Sequence, residues 1–270
     1  MIGHHSYDNI AENIDKVLNE FNIQNKTTLV VTDNASNFVK AFRVFSIENE
    51  TEADHTIEVS DDMDTVESDI DPTNIEIIEL TNVLESPSLE KSLDFSLPPH
   101  QRCVAHTLNL IAVNDIREAE KDVTYRLMSK RVFGKCQKLF NKQNHQSTLC
   151  ADQIKKYLGR YLITPNATRW NSFYDAIKCV VNHIEKIEII CIELQLPIIS
   201  KPREVTFLTE YCKVMKPIAQ ALDILQGDKH VSLGFLLPTI SIINKSLNEM
   251  KDLSYCRPLV NALKKGTNKR

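Results

Sequence analysis

A chain of 270 residues, 42 % hydrophobic and 25 % charged, can bury a substantial core and holds one large domain or two modest ones. No apolar run approaches the ~18 to 20 residues that cross a bilayer, and "MIGHHSYDNI" lacks the basic start and apolar centre of a signal peptide, which points to an intracellular protein. The net charge of -4 averages two unlike parts: of 36 acidic and 32 basic residues, Glu48 to Asp94 holds 16 acids and one base, Lys91, leaving 31 Lys+Arg against 20 Asp+Glu elsewhere.

Asp8 can cap a first helix whose Ile10, Ile14, Val17, Leu18 and Phe21 recur at the spacing of one buried face, ending near Phe21. "TTLVV" (Thr27 to Val31) is short and β-branched, as a buried strand is. Asn34 can then cap a second helix with an aromatic stripe of Phe38, Phe42 and Phe45. This order leaves Asp33 at the carboxyl end of the strand. A carboxylate there suits a metal site, because strand ends are rigid and open onto crevices where ligands collect. Asp and Asn are equally the residues of turns and caps, so the local pattern alone allows both readings.

From about 48 to 98 the chain is acidic and has no aromatic before Phe95, so it is expected to be a disordered insertion. Beyond "LPPHQ" the periodicity is helical throughout: segments near 103–115, 119–142 and 150–158, then three longer apolar stripes. The first runs through Phe173, Ile177, Val180, Val181, Ile184, Ile187 and Cys191. The second runs through Phe207, Leu208, Tyr211, Met215, Ile218, Leu222 and Leu225. The third comprises Leu233, Leu236, Leu237, Ile240, Ile243 and Leu247. Pro217 and Pro238 predict kinks or early helix starts. Seven scattered cysteines, mostly among aliphatic residues, read as reduced thiols.

Three patterns in this half carry chemistry. In "RCVAHTLNL", Cys103 and His106 have the spacing of half a zinc site, but Cys136 and His145 do not complete it, and a buried thiol beside a hydrogen-bonded imidazole satisfies the same residues. "TRWNS" places Arg169 beside Trp170, the single tryptophan; the pair can stack on an unpaired base and hold its phosphate, or anchor packing at a helix start. Arg126, Lys130, Arg131, Lys135, Lys138 and Lys142 fall along one side of a helix, where they can track a phosphate backbone or form a solvated face.

In order, "GHHSYDNIAENI", "VVTDNASNFVKAF", "RCVAHTLNLI", "TRWNSFYDAI" and "VMKPIAQALDILQG" resemble the hAT (hobo/Activator) transposases, above all the domesticated and relic members that carry a BED-type zinc finger upstream. The resemblance spans nearly the whole chain outside the acidic stretch. It implies an α+β, mostly α fold: a partial ribonuclease-H-like core with a large helical insertion domain and the acidic disordered insert. The corresponding divisions are 1–47 for a helix-strand-helix unit, 48–98 for the insertion, 99–170 for the return to the core, and 171–270 for the truncated helical domain. In that family two aspartates and a glutamate hold two Mg²⁺ ions for strand cleavage and transfer. The resemblance makes Asp33 the second of these acids, Asn34, Cys103 and His106 neighbours of the active site, and Arg169-Trp170 the pair associated with a flipped base.

By the same resemblance the first aspartate, the glutamate and the upstream zinc finger fall outside the sequence, and Glu193 and Glu210 lack the family's surrounding pattern. One acid cannot position two metals, so no cofactor is expected from the residues, Mg²⁺ enters only through the resemblance, and Asp33 reads as a relic. The expected function is that of a transposase-derived chain, nuclear by family, that has no nuclease activity and binds DNA weakly. The alternatives are a helical scaffold for a protein partner with an acidic regulatory insert, and a nuclease completed by a related chain.

Overall fold

The computed structural model describes residues 6–46, 95–145, 148–166, 171–199, 201–226 and 233–270. Residues 48–94 of the expected acidic insertion, and Arg169 and Trp170, lie outside these. The described chain is mostly helical with a small amount of strand, and divides into two compact units, 1–102 and 103–270.

In the first unit, helix α1 (Tyr7–Glu20) is capped by Ser6, whose hydroxyl accepts the backbone N–H of Asn9, while Asp8, the expected cap, lies inside the first turn. Strand β1 (Val30–Thr32) leads to α2 (Ser36–Phe45). Ile10, Ala11, Ala41, Phe42 and Leu97 form a small core between these elements, whereas Val17 and Phe21 of the expected α1 stripe face outward. The partner of β1 comes from beyond the acidic stretch: β2 (His100–Arg102) runs parallel to it in the register Val30↔His100, Val31↔Gln101, Thr32↔Arg102. A parallel bridge between Ser46 and Leu97, with Leu97 N–H donating to the Phe45 carbonyl at 2.7 Å, joins the chain on either side of that stretch a second time. The strand expected to be buried is covered on one face only. Val30 and Thr32 are half-buried and Val31 is 57 % exposed, because two three-residue strands offer a single face to two helices.

The second unit is helical: α3 (Val104–Val113), a 3₁₀ segment (Asp115–Lys121), α4 (Val123–His145), α5 (Thr148–Leu158), α6 (Ser172–Asn182), α7 (Ile184–Glu193), α8 (Pro202–Leu225), α9 (Leu236–Glu249) and α10 (Arg257–Lys269). One core runs from Ala105 to Leu263 and spans both sides of position 170. Helix α8 is its axis, packing on α3, α4, α6 and α9 through Phe207, Leu208, Val214, Ile218 and Leu222. Full burial of each large side chain contributes about 1.5 to 3 kcal/mol. Pro202 opens α8, where a missing N–H has no cost, and Pro238 falls in the first turn of α9 for the same reason, while α8 continues through Pro217.

Two stripes differ from expectation. That from Phe173 to Cys191 breaks at His183, whose backbone N–H turns to Val180 O while its Nδ1 lies 2.9 Å from Cys179 O, the acceptor an unbroken helix would use. Ile177, Val180, Ile187 and Cys191 remain fully buried across the break. In α9, Ile243 and Leu247 enter the core, but Leu237 is 73 % exposed.

Candidate nucleic-acid interface

Asp33 follows β1 at its carboxyl end, exposed, with Oδ1 accepting the N–H of Ala35 at 3.1 Å. That bond closes an Asx turn and starts α2, so Asp33 takes the local role expected of Asn34, and the N-cap position itself is Ala35. The neighbouring strand end is cationic and aromatic. Arg102 closes β2 opposite Thr32. His100 stacks on Phe42 with ring centroids 4.3 Å apart and rings within 8° of parallel, and its Nε2 lies 2.8 Å from Thr32 Oγ1. Among the described residues no group of three His, Cys, Asp or Glu side chains is placed to hold a metal. One turn-forming carboxylate does not fit a pair of Mg²⁺ ions, which need several oxygen ligands converging on one point.

Burial, reinforced by the charge of Arg102, lowers the His100 pKa below its ordinary 6.5. The neutral ring is the folded form, so this contribution to stability is present above about pH 6.5 and is lost as pH falls from there through the lower folded-state value. In the full-length chain, the His100 ring is expected to titrate below 6.5 in an NMR experiment. His100→Gln should flatten the pH dependence of protection at the Val30 amide, which donates to Pro99 O at 2.8 Å. Titration of His100 at or above 6.5 would refute this account.

Cys103 and His106 belong to the second unit. Cys103 precedes the first residue of α3, half-buried against the core, and its carbonyl accepts both the N–H and the hydroxyl of Thr107. His106 lies in the first turn of α3, half-buried. Cys136, considered as a second ligand, is fully buried and its thiol is pushed up to about 12 by burial, which suits core packing and opposes thiolate ligation.

The basic helix divides residue by residue. The exposed side of α4 carries Arg126, Lys130, Arg131 and Lys138, with Gln137 and Asn141 between them, and Lys142 is half-buried at its edge. No ion pair involves these cations among the described residues. Lys135 is the exception and corrects the expectation drawn from spacing. Its ammonium turns inward, where it bonds both oxygens of Glu204 at 2.7 and 2.8 Å and the carbonyl of Ile198 at 2.8 Å. Its side chain is 17 % exposed and that of Glu204 is 3 % exposed. Lys135 therefore secures α4 to the start of α8 and does not present charge to solvent.

No protein-family model and no curated protein matches the chain. No helix among the described residues is long and apolar enough to cross a membrane.

Proposed function

We propose that this is a non-enzymatic, nuclear chain of hAT transposase descent. In this reading a partial ribonuclease-H-like core and a helical insertion domain survive, Asp33 is a relic of a metal ligand, and the remaining activity is electrostatic binding of duplex DNA through α4. The observation that carries it is the row Arg126, Lys130, Arg131 and Lys138, exposed along a 23-residue helix that extends for roughly 35 Å. The basic balance of the chain outside Glu48 to Asp94 adds a favourable background field.

Four phosphate contacts correspond to a slope of about -3.6 in log affinity against log salt, or roughly a hundredfold loss between 50 and 200 mM. Fluorescence anisotropy on a labelled duplex of about 30 base pairs tests this, comparing the parent with a variant that combines Arg126→Glu, Lys130→Glu, Arg131→Glu and Lys138→Glu. The variant should lose at least tenfold in affinity and most of the salt slope, with little dependence on DNA sequence. A parent that does not bind, or a folded variant that binds equally well, sinks the proposal.

A second reading, a scaffold for a protein partner, draws on the apolar side chains that α9 presents to solvent, Leu237 at 73 % and Ile242 at 62 % exposure, together with the acidic stretch. The two readings separate on deletion of residues 48–94, which spares Phe95 and the buried Leu97. DNA affinity should rise if the acidic stretch competes for the basic face of α4.

A further inference from the structure

The second unit contains a cleft of about 430 Å³, open to solvent on one side, whose apolar wall neither reading uses. Its wall includes Tyr125, Phe133, Phe173, Tyr174 and Tyr211. Phe133 meets Phe173 and Tyr211 edge-on at 5.1 and 5.0 Å between centroids, and Phe173 meets Tyr211 in the same way at 6.0 Å, so the rings offer both faces and edges to an occupant. This volume lies in the range of small-molecule sites, which are clefts lined mostly by apolar and aromatic side chains.

The charged groups are confined to the rim: Arg117 and Lys130 are cationic, Glu120 is anionic, and all three are exposed. Burial raises the pKa of Tyr125, Tyr174 and Tyr211, so the wall holds neutral phenols and contributes no negative charge. The interior is thus mostly apolar and aromatic, with Ser129 and Asn171 as its uncharged polar members, and the rim has one more positive charge than negative.

We propose that this cavity binds a small amphipathic carboxylate, with its aromatic or branched apolar body among the five rings and its carboxylate at the rim against Arg117 and Lys130. The site shares Lys130 with the α4 basic row, whereas its apolar wall and Arg117 take no part in that row.

Isothermal titration of the full chain with 2-naphthoate and with 2-naphthamide, matched in shape and differing in charge, tests the proposal. The naphthoate should saturate one site, and the amide should bind at least about tenfold more weakly. Arg117→Gln combined with Lys130→Gln, both at exposed positions, should erase that preference while leaving the amide unchanged. Ala219→Phe, at a buried wall position, should abolish binding of both probes. Circular dichroism establishes that this variant is folded; if it is not, the rim variant decides. Absence of saturable binding to the parent, an unchanged preference in the rim variant, or binding retained by folded Ala219→Phe would each overturn the assignment.

Discussion

Replacing Glu204 by alanine should lower the unfolding free energy by about 3 to 5 kcal/mol, because it leaves the Lys135 ammonium buried against the core without its counter-ion. For a chain of this size that corresponds to roughly 10 °C in Tm. The geometry concentrates the effect in one place. Lys135 Nζ makes three bonds, two to Glu204 and one to the Ile198 carbonyl, so losing the carboxylate strands most of its hydrogen-bonding capacity. Lys135→Ala should be similarly severe, since it strands the carboxylate instead. The double variant Lys135→Met with Glu204→Leu replaces the pair by packed apolar groups and should recover to within about 1 kcal/mol of the parent or better. Urea unfolding of the three variants decides the matter. Single variants that each cost under about 1 kcal/mol would show that water reaches the pair. The pair also bears on the proposed interface, because it holds the helix that displays Arg126, Lys130, Arg131 and Lys138.

What could be read in the sequence was local periodicity; what could not was pairing over long distance. The stripe from Phe207 to Leu222 in α8 was legible because 3.6-residue spacing and burial coincide over a 24-residue helix. The strand at Val30 was legible as a β-branched run, but its partner was not. "HQR" has no strand propensity, and β2 exists because parallel pairing across more than sixty residues satisfies the backbone of β1. His100 was missed for the same reason. Nothing near it in sequence signals a stack on Phe42, although a histidine just after two prolines re-entering from an acidic stretch was the available cue. Lys135 was misassigned because helical spacing places it at the margin of the basic face, and only the position of Glu204, 69 residues on, turns it inward. The cavity has no sequence signature, since its five rings come from α4, α6 and α8 and each reads separately as ordinary core.

Glu210 illustrates the same limit with a comparable energetic consequence. Its carboxylate, read from the sequence only as part of an amphipathic helix, holds a backbone turn in the structure. Residue 210 is 8 % exposed, Oε1 accepts the N–H of Ser254 at 2.6 Å, and Oε2 accepts those of Tyr255 and Cys256 at 2.8 and 2.9 Å. Three consecutive backbone donors at the entry to α10 thus converge on one carboxylate from α8, where the positive end of the α10 dipole also favours a negative charge. Glu210→Ala leaves these donors without an acceptor in a site that is mostly closed to water, and should cost about 3 to 5 kcal/mol. Glu210→Gln keeps one acceptor oxygen but points an amide N–H₂ at a donor, so it should fall between alanine and the parent. Helix α10 brings Leu259, Val260 and Leu263 into the core at complete burial, so its release should open that part of the unit first. Hydrogen exchange should show protection of the amides from Val260 to Leu263 falling in Glu210→Ala by more than the global stability change accounts for. A uniform loss of protection across α8 and α10 would instead mean that the carboxylate supports the whole core, and that α10 has no separate opening.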